Sequence, residues 1–297
     1  MLLDKNKHIK TVVNKTNTIE ETFRFFKMEL LAGLDKMTTT VNEHGNVFEF
    51  DYSKVYWNSR LQTEHQRISK LISPDDTVFD VFAGVGPFAI PVAKKCKEVY
   101  ANDLNTESYK ALIHNAELNK VSKNIKAFNM DGREFLEKVV IENNICKEEN
   151  CEIPKSIKKH IIMNLPAIAP EFLDVFAEKF KLFNLPLKLH ANIIVHCYCF
   201  CKSKDPKGEA ILRISEILSV DISGDSTTVH FVRRVAPNKV MMCVSFNLVW
   251  FDHDTKCSCR ITPTDLIRKR TIEGDFDIFL WSYTNQHLID TFQFPIT

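Results

Sequence analysis

Between residues 77 and 250 short apolar runs alternate with amphipathic stretches, and no other feature constrains the fold as strongly. TVFDVF (77–82), EVYAND (98–103), IKAFNM (125–130), HIIMN (160–164) and ANIIVHCYCF (191–200) read as strands. Runs this short and this apolar suit strands buried on both faces. Helical spacing fills the gaps at about 88–95, 106–120 and 169–180, and again at 208–218. Strands alternating with helices predict an α/β fold with a mostly parallel sheet. VHFVRRV (229–235) and KVMMCVSFNLVW (239–250), joined at Pro237-Asn238, predict an antiparallel hairpin at one edge.

Upstream, RLQTEHQRISKLI (60–72) places Leu61, Ile68, Leu71 and Ile72 at helical spacing. FRFFKMELLAG (23–33) reads as a strand or short helix ending at Gly33, and a turn follows at His44-Gly45-Asn46. The polar stretch 141–159 reads as a surface insertion before the fourth strand. Three parts are therefore expected: a small N-terminal segment (1–52), the α/β domain (53–250) and a tail (251–297). The tail's Phe276, Phe279, Trp281, Phe292 and Phe294 are expected to pack on something.

Nine cysteines, an odd number, with no apolar leader argue against a disulfide framework. Cys197, Cys199 and Cys201 alternate within one run and should share one strand face. Cys257 and Cys259 with His196 admit a metal reading, but the spacing is not that of a zinc knuckle, and no metal site is expected. No apolar run approaches the roughly 18–20 residues that span a bilayer, so no membrane partner is expected. The net charge of +1 does not announce a nucleic-acid binder, although a local basic face would suffice.

In an open parallel sheet the chemistry sits beyond the carboxyl ends of the strands. After the first strand comes Gly84-x-Gly86-x-x-Ala89, whose glycines allow close backbone approach to a ligand. Asp103, at the end of the second strand, stands where a carboxylate can accept both ribose hydroxyls, or else cap the next helix. Asp131-Gly132 ends the third strand and suits an exocyclic adenine amine. Asn164-Leu165-Pro166 ends the fourth, offering both donor and acceptor, without the aromatic that would stack a flipped base. Each of these also reads as a capped turn. The glycines with Asp103 equally fit an NAD(P)-dependent oxidoreductase.

KVYWNSRLQTEH (54–65), DVFAGVGPFAIPVAKK (80–95), ANDLNTESYKALIHNAELNKV (101–121), FNMDGREF (128–135), NLPAIAPEFLDVF (164–176), IVHCY (194–198) and VRRVAPNKVMMCVSF (232–246) resemble successive motifs of the tRNA (guanine-37 N1)-methyltransferases. The resemblance covers roughly residues 9–248 and is strongest to the eukaryotic branch. It implies a Rossmann-like class I methyltransferase that takes a methyl group from S-adenosyl-L-methionine to N1 of guanosine 37 in tRNA. It implies that Glu64 is the general base, that Arg60 faces the target base, and that His65, Asp103, Leu104, Asp131, Gly132 and Asn164 line the methyl donor. Arg60 and Glu64, four apart, would share a helical face. The bland reading of that pair is a surface ion pair, and His65 would be a helix-surface residue. Arg24, Arg233 and Arg234 are candidate phosphate contacts.

The resemblance further implies a monomer in cytoplasm, nucleus and mitochondrial matrix, though no targeting signal is evident. Such enzymes carry an additional N-terminal domain, and the chain starts close to where that domain would end. Weak tRNA binding, or a catalytically inactive RNA-binding relative, is the corresponding expectation. Asn164-Leu165-Pro166 and the closing strand pair favour methyl transfer over hydride transfer.

Overall fold

The computed structural model describes residues 2–6, 9–15, 28–96, 98–145, 157–183 and 193–248. The N-terminal part holds α1 (Leu2–Lys5) and an antiparallel ribbon of β1 (Thr11–Lys15) and β2 (Met28–Gly33). A hairpin follows, β3 (Thr38–Glu43) and β4 (Asn46–Asp51). Its two-residue turn puts His44 at φ 49° and Gly45 at φ 77°. Such primed turns match the twist of the flanking strands.

Seven strands form the main sheet: β5 (Thr77–Asp80), β6 (Glu98–Asn102), β7 (Ile125–Phe128), β8 (Lys159–Met163), β9 (Ile193–Cys201), β10 (Thr228–Ala236) and β11 (Lys239–Asn247). Their order is β10-β11-β9-β8-β5-β6-β7. β5 to β9 run parallel, and β10–β11 closes the edge antiparallel, as the alternation and the Pro237-Asn238 turn predict. Helices α2 (Gln62–Leu71), α3 (Ala89–Ala93), α4 (Thr106–Leu118), α5 (Gly132–Glu134), α6 (Asp174–Phe183) and α7 (Pro206–Leu218) complete it.

Each sheet face buries its own apolar cluster. Period-two alternation sends Val195, Cys197, Cys199 and Cys201 of β9 to one face, with Phe135, Phe172 and Phe176. Tyr198 goes to the other, with Ile68, Phe88 and Leu112. At about 1.5–3 kcal/mol per large apolar side chain, these clusters are the main stabilising term. The expected shared face of the three cysteines is thus observed, and all three are free thiols.

Two expectations need correction. The stretch 141–159, of which residues 146–156 lie outside the described residues, was expected to be a surface insertion. Its first five residues instead belong to a π-wound helix that continues α5 over Phe135–Ile145 and buries Phe135, Leu136, Val139, Val140 and Ile141. Its apolar positions do not follow the 3.6-residue period, which hides it from pattern reading. Second, a boundary near residue 52 is not a packing boundary. Asn115 Oδ1 accepts the Glu49 N–H at 2.8 Å and Asn119 Oδ1 the Val47 N–H at 3.0 Å, while Phe48 and Phe50 lie in the core. Arg24, Cys146, Cys151, Cys257, Cys259 and the tail 251–297 with its aromatic residues lie outside the described residues.

Candidate active site

β5 leads outward to β6 and β7, whereas β8 lies on the other side of β5, so the strand order reverses between β5 and β8. A crevice opens beyond the strand ends at such a point. A cavity of about 350 Å³ lies there. Gly84, Asp103, Asp131 and Asn164, from four strand ends, all reach it.

The glycine turn after β5 is shaped by two left-handed residues, Gly84 at φ 56° and Gly86 at φ 98°. A Cβ on Gly84 would meet nothing within 4 Å, so that backbone is open to a ligand. A Cβ on Gly86 would lie 2.7 Å from Ile90 Cγ1 and 2.8 Å from Leu112 Cδ1. Gly86 therefore lets α3 and α4 close on the turn, whereas Gly84 leaves room for something else.

Asp103 holds the turn in place. Its Oδ2 accepts the Gly84 N–H at 2.8 Å, and its Oδ1 accepts the Asn105 N–H at 2.9 Å. The cap of α4 is Asn105, which accepts from Glu107 N–H, so Asp103 is not the helix cap. Burial in the cleft pushes the Asp103 carboxyl up to about 6, against the pull of the Asn105 and Gly84 N–H groups. Asp103 is part-exposed, but into a cavity whose walls are protein. Behind it lies Asp80, fully buried, with neither carboxylate oxygen hydrogen-bonded among the described residues. Burial and the neighbouring Asp103 charge push Asp80 up to about 8, and the Phe82 and Ala89 N–H groups offset little of that.

Asp131 Oδ1 accepts the Arg133 N–H at 2.8 Å, so it caps α5 while facing the cavity. Gly132 lies under Phe82 and Phe172, where a Cβ would approach both rings to 2.9 Å. Leu104 is 48 % exposed at the rim. The Oδ1 of Asn164 is buried with no hydrogen-bond partner among the described residues.

His65 is not on the helix surface. It is buried, lines the cavity, donates from Nδ1 to Glu43 Oε1 across 2.6 Å, and packs edge-on against Phe88. All six residues expected around a donor thus border one cavity. Tyr56, Trp57, Phe82, Phe172, Phe200 and Met241, which no strand-end reading singles out, add apolar walls.

Arg60 and Glu64 do not pair. Arg60 lies exposed in a 3₁₀ turn (Ser59–Leu61) ahead of α2. Glu64 is buried, 4 % exposed, and its partner is Arg67, three residues on. Arg67 Nε donates to Oε2 at 2.7 Å and Nη2 to Oε1 at 2.6 Å. Tyr198 donates its hydroxyl to Oε1 at 2.7 Å, and His230 Nε2 stands 3.6 Å from Oε2. Burial pushes the Glu64 carboxyl up, but the Arg67 and Tyr198 hydrogen bonds and the Arg67 charge outweigh it and hold it below its usual range. The helical-face argument fails because the helix begins after Arg60. The carboxylate points to the sheet, while Leu61 at the end of the 3₁₀ turn and His65 on α2 face the cavity.

His196 is engaged with His160 at 3.0 Å and Ser245 Oγ at 2.7 Å, and His160 with Asp76 at 3.2 Å. Burial drives both imidazoles below their ordinary range. Among the described residues no group of three or more ligating side chains forms a metal cluster.

A seven-strand sheet with an antiparallel edge hairpin, a glycine turn after β5 and acidic residues ending the next two strands define a Rossmann-like methyltransferase fold. Residues 39–202 match the model of the TRM5/TYW2 methyltransferase domain, and the chain belongs to that family. It is 50 % identical over 251 residues to a Xenopus tropicalis tRNA (guanine(37)-N(1))-methyltransferase, covering 84 % of this chain and 49 % of that protein. The chain thus spans about half the length of the curated relatives it matches. Trm5b from Pyrococcus abyssi superposes with a TM-score of 0.62 at 30 % identity, covering 84 % of this chain and 67 % of that one. A structure described as the complex of aTrm5 and tRNALeu also gives 0.62, at 27 % identity, over 83 % of this chain and 63 % of that one.

Proposed function

We propose that this chain is a tRNA (guanine(37)-N(1))-methyltransferase that takes its methyl group from S-adenosyl-L-methionine. One observation carries the reading: the four strand ends nearest the switch point bring Gly84, Asp103, Asp131 and Asn164 into one cavity. The fit to the donor is supported by a group that lacks a partner among the described residues and by open space. Asn164 Oδ1 is buried with no hydrogen-bond partner among the described residues, and the space over Gly84 is open. Asp103 accepts the ribose hydroxyls, Asp131 the adenine amine, and His65, Leu104, Gly132 and Asn164 border the donor. When bound, the donor supplies an electrophilic methyl group on a sulfonium.

Guanine N1 carries a proton and is a poor nucleophile until it leaves. Glu64 is the proton acceptor in this reading. Arg67 and Tyr198 keep it ionised, so it is ready to accept at neutral pH. Its carboxylate must turn from Arg67 toward the cavity as the base arrives. The name of the Xenopus relative and the complex of aTrm5 with tRNALeu support the choice of substrate.

Thermal unfolding with candidate ligands tests the donor half. Saturable protection by S-adenosyl-L-methionine and none by NAD is expected, since only a ligand that binds the native state shifts the equilibrium. Protection by NAD alone would replace methyl transfer by hydride transfer. Protection by neither would leave an RNA-binding relative.

A further inference from the structure

The sheet face that buries Tyr198 and Ile68 also carries a row of polar side chains, away from the cavity at the opposite ends of β5 and β8. Asp76 stands just before β5, and His160 is the second residue of β8. His196 lies on β9, in register with Ser245 of β11. All four are buried. Asp76 Oδ2 lies 3.2 Å from His160 Nε2, and His160 Nδ1 lies 3.0 Å from His196 Nε2. His196 Nδ1 lies 2.7 Å from Ser245 Oγ, and Cys243 Sγ follows at 3.8 Å from that oxygen. Methyl transfer makes no use of this chain.

Its first member fixes the bond directions. Asp76 Oδ1 accepts the Lys158 N–H at 2.9 Å and Oδ2 the Ser73 N–H at 2.8 Å, so the carboxylate serves as an acceptor. His160 must donate to it from Nε2. Burial drives both imidazoles below their ordinary range, so each ring carries one proton at neutral pH. The Nδ1 of His160 is then an acceptor, and His196 donates to it from Nε2. His196 Nδ1 in turn accepts the Ser245 hydroxyl. Every contact has one donor and one acceptor.

A single extra proton fits this chain and a second does not. The proton between His196 and His160 becomes His160's, and that between Ser245 and His196 becomes His196's. The one taken from solvent completes the Ser245 hydroxyl, on the side of Cys243. Each contact keeps one donor. A further proton on His196 would set two N–H groups against each other across 3.0 Å. The charges nearby decide which ring is loaded. Asp76 contacts His160, with Lys95 and Lys158 also acting on it, whereas Arg67 opposes charge on His196. The thiols at the two ends, Cys96 and Cys243, are pushed up by burial and stay protonated.

We propose that Asp76, His160, His196 and Ser245 form a one-proton switch. On acidification the charge settles on His160 beside Asp76, and His196 changes tautomer without changing charge. The Ser245 hydroxyl then points to Cys243. A change of charge at β8 thus becomes a change of bond direction at β11, with no contact broken.

The test is long-range proton–nitrogen NMR correlation of the full chain, labelled in its histidine rings and titrated from about pH 8 to the onset of unfolding. It reads the charge and tautomer of each ring. At the start His160 and His196 should both be neutral Nε2–H tautomers. As pH falls, His160 should gain a second proton, and His196 should pass to the neutral Nδ1–H form with the same midpoint. In Asp76→Asn that midpoint should fall by about 1–3 pH units, the usual effect of losing one contacting charge. Signals of the remaining histidines report whether this variant is folded, and the wild-type titration decides the matter without it. An Nδ1–H tautomer at either ring near neutral pH would overturn the switch. So would charge appearing on His196, separate midpoints, unfolding before His160 titrates, or an unmoved midpoint in folded Asp76→Asn.

Discussion

Glu64 and Arg67 form a two-bond ion pair within α2, with Nε–Oε2 at 2.7 Å and Nη2–Oε1 at 2.6 Å, where the carboxylate is 4 % exposed. A carboxylate this buried would rise in pKa if it were alone. Arg67 and Tyr198 reverse that direction and keep it charged. The pair therefore holds the carboxylate in its ionised form next to His65, which lines the cavity.

Glu64→Gln should slow single-turnover methyl transfer by about 10²–10⁴-fold with donor affinity unchanged, because the amide keeps the shape but takes no proton. The depressed carboxyl sets the pH dependence. Its ionisation is complete well below neutrality, so the wild-type rate should not rise with a Glu64 titration between about pH 6 and 9. Its stabilising contribution is present above the unfolded value of 4.5 and is lost as pH falls through the lower folded value. A normal single-turnover rate for a folded Glu64→Gln would leave Glu64 a structural partner of Arg67.

Asp103 makes the opposite pH prediction. Its carboxyl is pushed up to about 6. A proton on it competes with ribose hydroxyls, so donor affinity should weaken as pH falls through about 6, toward tenfold per unit below it. Asp103→Asn should lose about 1.5–3 kcal/mol of donor binding, the range for a charged hydrogen bond, and should flatten that pH slope. Calorimetric titration across pH reads both. Unchanged affinity in a folded mutant would remove Asp103 from the donor site.

The two glycines of the turn should separate binding from stability. Gly86→Ala adds a methyl 2.7–2.8 Å from Ile90 and Leu112 at φ 98°, so urea unfolding should show a loss of about 1–3 kcal/mol. Gly84→Ala, at φ 56° with open space around it, should cost only about 1 kcal/mol. Its methyl should instead obstruct the donor and weaken binding. Equal stability losses at both would contradict the division.

The sheet and the donor end were legible because they are written locally. Apolar runs give strands, and Asp103, Asp131 and Asn164 each stand where one ends. The same reading could not find Phe200 or Met241, which meet the cavity only through strand pairing, and it took Arg233, which also lines the cavity, for a phosphate contact. It missed Arg67 as the partner of Glu64 and weighed only Arg60, because both arginines are within about one turn of it in sequence. Which arginine pairs depends on where the helix starts, and helix ends are the least certain part of any pattern reading. The π-wound stretch 135–145 escaped for want of a regular period. The His160–His196–Ser245 chain escaped because its members come from three strands.

Transfer of labelled methyl from S-adenosyl-L-methionine to a tRNA transcript with guanosine at position 37, beside the same transcript with adenosine there, tests the central claim most directly. The account predicts 1-methylguanosine at position 37 of the first transcript and no product from the second. Equal methylation of both, or donor protection without any transfer to the guanosine transcript, would contradict it.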